Sequence, residues 1–231
     1  MRFTAFLALI FTLFTGGVGK RTIFSYTKSS VALELHNFHR SLHNAPPLTW
    51  KKNLVKYAKG WCLKLAKKNL FEHSYEDKYA EKRNGAQWGE NLYVYSTETT
   101  GWEFPRMNRK EAMIEAAIRT KDAIDQWVAE KQYYNYQNPD FGIFAKWGHF
   151  TQAVWKDTTE VGCAAVFKRH SPTERRTYVC CNYYNRGNVG GQYLQNVDPP
   201  VAVAEPNFAD RPGPGVITCT DPETCELNNG P

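Results

Sequence analysis

Apolar positions recur at helical spacing in three stretches of the chain. Val31, Leu35, Phe38 and Leu42 make one stripe, with Ser29 or Ser30 available as N-cap. Leu54, Ala58, Trp61 and Leu65 make a second, widened by Val55, Cys62 and Ala66, and predict a helix over 53–68. A third helical region spans about 109–133, with Met113, Ala117, Thr120, Ile124, Trp127 and Val128 on one side. Strand-like alternation and β-branched content mark 91–95, 161–167 and 177–183, the last two flanking a polar turn at 170–175. Helices come early and strands late, so an α+β fold is favoured over a parallel βαβ arrangement.

The first apolar run has a different meaning. Arg2 precedes twelve apolar or small residues, 3–14, followed by Gly16, Gly17 and Gly19. Twelve residues of helix cover about 18 Å, well short of a hydrocarbon core of roughly 30 Å. The pattern is that of a signal peptide over 1–19, which predicts a secreted, extracellular chain without a membrane span. The six cysteines (Cys62, Cys163, Cys180, Cys181, Cys219, Cys225) fit an oxidising compartment, and three disulfides are the default. Their spacing matches no zinc ribbon, and the adjacent Cys180 and Cys181 would point to opposite faces of a strand. One globular domain is expected over 20–195. Residues 196–231 hold seven of the twelve prolines, six acids and one base, and read as an irregular, acidic C-terminal extension.

With 42% hydrophobic and 14% aromatic residues, the chain is not intrinsically disordered. Its net charge of +6 is concentrated on the second helix, where Lys52, Lys56, Lys59, Lys64 and Lys67 fall mainly opposite the apolar stripe. Such a face is either simply solvated or attracted to anionic lipid headgroups or sulfated polysaccharide. No nucleic-acid motif accompanies it, and nucleic acid is not an expected partner.

Four short sequences carry the chemistry: HNFHR at 36–40, GENL at 89–92, GHFTQAVW at 148–155 and YVCCNYYNRGN at 178–188. In this order and at these separations they resemble the CAP superfamily of cysteine-rich secretory proteins, antigen-5 allergens and plant pathogenesis-related proteins. The resemblance spans about 31–193, and within the superfamily the sequence is similar to helminth venom allergen-like proteins. Ala153 and Asn185 depart from the usual pattern without removing a polar functional group. The resemblance implies an α–β–α sandwich around a small central antiparallel sheet. It also implies a Cys163–Cys181 disulfide between paired strands. Cys219–Cys225 would then close a loop in the tail and Cys62 would meet Cys180, one of fifteen connectivities.

Carried over residue by residue, the family's cavity tetrad is His73, Glu90, Glu130 and His149. Two imidazoles and two carboxylates suit Zn²⁺ or another divalent metal, the alternative being a buried hydrogen-bonded network. These residues lie far apart in sequence, so only the resemblance brings them together. His36 and His39 are not read as a metal site; Asn37 and Arg40 are expected to tie their helix to the core. Ser74 beside His73 lacks the surroundings of a nucleophile, and no enzymatic activity is expected.

Between the third helix and GHFTQ, the segment YYNYQNPDFGIFAKW places Tyr134, Tyr136, Phe141 and Phe144 at aromatic spacings. These resemble the loop (133–147) through which sterol-binding members of the superfamily hold cholesterol-like ligands. Asn138, Pro139, Asp140 and Gly142 interrupt regular structure, so the rings are expected on a loop, capping the core or wrapping a ligand. Met113, Ala116, Ala117 and Ile124 would line a fatty-acid channel or simply pack the core. The functional expectation is a secreted lipid-binding protein that sequesters or exports sterols. The alternative is an extracellular interaction module that meets a host receptor or plasma component through its basic face.

Overall fold

The computed structural model describes residues 23–26, 29–74, 88–100, 107–201, 216–221 and 224–228. The expected signal segment lies outside them. The elements run β1 (Ile23–Tyr26), α1 (Ser29–Ser41), β2 (Thr49–Trp50), α2 (Lys52–Lys68), β3 (Gly89–Glu98) and α3 (Arg109–Ala129). Two 3₁₀ turns follow (Glu130–Tyr133 and Phe141–Lys146), then α4 (Gly148–Val154), β4 (Glu160–Arg169), β5 (Glu174–Tyr184) and α5 (Tyr193–Asn196). A ribbon of β6 (Val216–Asp221) and β7 (Thr224–Asn228) completes the order.

The sheet has the order β1-β4-β5-β3 with antiparallel neighbours. It is not purely antiparallel, because β2 joins β4 in parallel through Thr49 and Trp50. Strand alternation builds two cores. Cys163, Ala165, Phe167, Val179, Cys181 and Tyr183 face a layer of α1, α3 and α4. Ala164, Val166, Tyr178 and Cys180 face α2 through Ala58, Trp61, Leu65 and Ala66. The two neighbouring cysteines therefore serve opposite layers: Cys62–Cys180 ties α2 to the sheet, and Cys163–Cys181 joins β4 to β5. Helix α2 lies so close to β4 that a Cβ at Gly162 would fall 2.4 Å from the Val55 nitrogen.

Helix boundaries follow local chemistry. Asn108 and Glu111 form a reciprocal capping box at the start of α3. Helix α2 ends at Asn69 in the left-handed region, with the Asn69 and Leu70 N–H groups both donating to the Leu65 carbonyl. The tail is more regular than its composition suggests, since β6 and β7 pair with Cys219 opposite Cys225. The side chains of those two cysteines lie outside the described residues.

Helix α1 departs most from its apolar pattern. Its buried face is Val31, Ala32, His36 and Arg40, while Phe38 is 39% exposed. The polar residues win the interior because each is saturated by hydrogen bonds. Asn37 clips the following loop by donating to the Leu48 carbonyl and accepting from the Leu48 N–H. Arg40 is fully buried, and all five of its N–H donors are directed to carbonyls. Nε reaches Pro46 at 2.6 Å, Nη1 reaches Ala153 at 3.1 Å and Trp155 at 2.8 Å, and Nη2 reaches Lys156 at 3.4 Å and Thr158 at 2.9 Å. Desolvation lowers its pKa to about 10, so it remains a cation at neutral pH.

An ammonium has three donors, so Arg40→Lys must remove the side-chain donor from at least two of these carbonyls. Among the described residues, Trp155 alone of the five has a second donor, the Thr158 N–H. We expect a loss of about 3 kcal/mol in unfolding free energy, measured by urea denaturation at pH 7. A loss below about 1 kcal/mol would contradict this role.

Candidate functional site

Helix α4 carries His149 and has only seven residues, too few to be stable alone. Both of its ends are held by charge. At the N-terminus, Glu130 Oε2 accepts from the backbone N–H groups of His149 at 3.0 Å and Phe150 at 3.2 Å, and Oε1 pairs with His149 Nδ1 at 2.7 Å. At the C-terminus, the Arg40 guanidinium takes the Ala153 and Trp155 carbonyls. An anion at the first turn and a cation at the last both complement the helix dipole. The ring of His149 also stacks on Trp127, with centroids 6.1 Å apart.

The second His–Glu pair repeats this design. Glu90 Oε1 pairs with His73 Nδ1 at 2.8 Å and accepts from the Ser74 backbone N–H at 2.9 Å. The structure thus divides the expected tetrad into two dyads, His73 with Glu90 and His149 with Glu130. Among the described residues, no group of three or more His, Cys, Asp or Glu side chains is arranged to hold a metal ion. In each dyad one carboxylate oxygen is taken by its own imidazole Nδ1, so each Glu orients a single ring. Glu130 also uses its second oxygen on backbone N–H groups, whereas Glu90 receives His73 and Ser74 on the same oxygen, Oε1, and buries Oε2. The residues present do not fit the expected four-residue zinc centre. His39 lies apart from His36 and faces Asp125 at 3.9 Å.

A chain of hydrogen bonds that the motifs alone do not reveal connects these elements. Asn91 Nδ2 donates to the His149 carbonyl at 3.0 Å and to the Tyr183 hydroxyl at 3.2 Å. His36 Nδ1 meets the Ala32 carbonyl at 2.7 Å, which can only accept, so Nδ1 carries the proton. Its Nε2 then accepts from the Tyr183 hydroxyl at 2.8 Å. Burial favours the neutral ring and lowers the His36 pKa from 6.5 to about 4; the Ala32 bond opposes the shift, while Arg40 and His39 add to it. The same desolvation pushes the Tyr183 phenol up. The sequence signal for this network is the placement of polar residues four apart, at 36 and 40, on the inward face of a helix.

The aromatic segment is more ordered than expected, because Asp140 caps a 3₁₀ turn over Phe141–Lys146 by accepting from the Gly142 N–H. Its organiser is Trp147, fully buried, whose Nε1 donates to the Asp140 carbonyl at 3.1 Å. Tyr134, Phe141, Phe144 and Tyr193 contact Trp147 edge to face. The four predicted rings then separate. Tyr134 and Tyr136 pack toward Phe150 and line an open cavity of about 580 Å³ together with Gln132, Tyr133, Gln137 and Pro199. Phe141 and Phe144, 55% and 40% exposed, lie outside that wall. The Tyr134 hydroxyl is buried without a hydrogen-bond partner, and burial raises its pKa. Tyr136 is pushed up to about 12 for the same reason. Met113, Ala116, Ala117 and Ile124, the candidate channel residues, are all buried on α3.

Comparison with known proteins adds the following. The family model described as the cysteine-rich secretory protein family, CAP, matches residues 33–183. The pathogenesis-related protein PRMS of Zea mays is 30% identical over 169 residues, covering 72% of this chain and 83% of its own. The Golgi-associated plant pathogenesis-related protein 1 of Homo sapiens is 32% identical over 170 residues, covering 73% and 90%. Among solved structures, BmVAL-1 superposes with a TM-score of 0.47 at 22% identity, covering 69% of this chain and 76% of that one.

Two predictions arise from this geometry. The unfolded chain protonates His36 near pH 6.5 and the folded chain only near 4, so the unfolded state binds the extra proton between them. His36 stabilisation is therefore complete above pH 6.5 and is lost as pH falls toward 4, by on the order of 3 kcal/mol. NMR of the imidazole should show a neutral ring down to pH 5, and titration near 6.5 would contradict the network. Tyr134→Phe removes an unsatisfied buried hydroxyl and should raise the unfolding free energy by about 1 kcal/mol. A loss of stability would mean that the hydroxyl is satisfied in solution.

Proposed function

The chain belongs to the cysteine-rich secretory protein family, CAP, and from that premise we propose that it is an extracellular lipid-binding protein with a sterol-like ligand at the aromatic cavity. The observation that carries this reading is the open cavity of about 580 Å³ walled by Tyr133, Tyr134, Tyr136 and Pro199. Its size is within the usual range for small-molecule sites. Tyrosine rings offer broad apolar faces to a flat polycyclic ligand, and Gln132 and Gln137 supply polar groups at its edge. Two disulfides support an oxidising, secretory setting. No helix among the described residues is long and apolar enough to cross a membrane. The two His–Glu dyads anchor α4 and β3 and have no catalytic part in this reading.

Binding of labelled cholesterol to the purified protein, competed with palmitate, tests the proposal. Wild type should bind saturably, and Tyr133→Ala/Tyr136→Ala should weaken binding by about tenfold, equivalent to about 1.4 kcal/mol. Phe141→Ala/Phe144→Ala, outside the cavity wall, should change affinity by less than about threefold. Absence of binding by wild type, or a larger effect of the phenylalanine pair, would overturn the assignment.

A further inference from the structure

The layer on the other side of the sheet presents a surface of different character. Lys52, Lys56, Lys59 and Lys67 of α2 share one stripe by helical spacing, and Leu63 on the same stripe is partly buried against the α2 core. Lys64 and Lys68 lie beside them, and Glu72 is the only acid between positions 51 and 74. A basic helix face is common and by itself specifies nothing. Here it continues into an apolar ledge, where Leu70 is 38% exposed and Phe71 is 53% exposed.

That ledge is held in place. The Leu70 N–H closes the helix end on the Leu65 carbonyl, and Trp61 Nε1 donates to the Glu72 carbonyl at 3.0 Å. From below, the buried Lys168 ammonium donates to the Ala66 and Lys67 carbonyls. Arg176 donates to Asn69 Oδ1, the side chain of the turn residue. The two apolar side chains are thus presented at a fixed place beside Lys67 and Lys68.

We propose that this face of α2, with Leu70 and Phe71, docks on an anionic phospholipid surface. The lysines complement the headgroup charge, and the ledge enters the boundary between headgroups and acyl chains. A sulfated polysaccharide would satisfy the lysines but offers no apolar phase for Leu70 and Phe71, so the combination selects lipid. The surface is separate from the aromatic cavity, since α2 packs on the Cys180 face of the sheet and the cavity-lining Tyr134 belongs to the core on the Cys181 face.

Co-sedimentation of the full chain with sterol-free vesicles tests this, so failure of the sterol reading would not affect the result. The vesicles are phosphatidylcholine alone or with about 30% phosphatidylserine. Anionic vesicles should bind at least about tenfold more tightly than neutral ones, and the difference should shrink in high salt. Lys56→Glu/Lys67→Glu should abolish that preference. Leu70→Ser/Phe71→Ser should weaken vesicle binding by about fivefold or more while leaving heparin binding unchanged. All four positions are exposed, and unchanged thermal unfolding would confirm that the variants fold. Equal binding to both vesicles, or indifference of vesicle binding to the serine pair, would overturn the proposal, the latter outcome with tight heparin binding indicating a polysaccharide surface.

Discussion

A buried guanidinium without a carboxylate hydrogen-bond partner is the constraint on which this architecture depends. Arg40 loses its hydration and recovers it from five main-chain carbonyls contributed by the loop after α1, the last turn of α4 and the segment from α4 to β4. Carbonyls so engaged cannot shift independently, and α1, α4 and the start of β4 therefore form one unit. At the other end of α4, Glu130 performs the complementary task for the orphan amides. A seven-residue helix with no staying power of its own becomes a fixed element because opposite charges hold its two ends.

The candidate ligand site rests on that element. Trp147 immediately precedes α4, and its buried indole collects the rings of Tyr134, Phe141, Phe144 and Tyr193. Phe150, on α4 itself, contacts Tyr134 and Tyr136 at the cavity wall, and His43 approaches from α1's following loop. The cavity is therefore bounded by rings whose positions trace back to Glu130 and Arg40. Across the sheet, strand alternation gives Cys180 to α2 and Cys181 to this layer, so one dipeptide ties both sides together.

Much of this was legible in the sequence, and the exceptions have physical causes. The inward stripes of α2 and α3 were readable because their buried positions are apolar or small, and the predicted strand segments lie inside β3, β4 and β5. The apolar stripe of α1 misled in part: Val31 is buried and Arg40 ties the helix to the core as expected, but His36 also takes the buried face and Phe38 does not. Helix α4 is too short to display a period. The tetrad resemblance located residues that do pair, but the donors that capture Glu90 and Glu130 are backbone N–H groups, which leave no trace in residue identity. The four-ring pattern likewise could not reveal that Trp147 stands between Tyr134 and the exposed phenylalanines. Proline content concealed the pairing of β6 with β7.

The central claim is that α4 is held by Glu130 and Arg40 before any ligand arrives. Hydrogen exchange of the His149 and Phe150 amides in the ligand-free protein tests it most directly. The account predicts protection comparable to that of the central strands β4 and β5. Exchange as fast as that of exposed loop amides, with protection appearing only when lipid is added, would show that the ligand and not the charge clamp orders this helix.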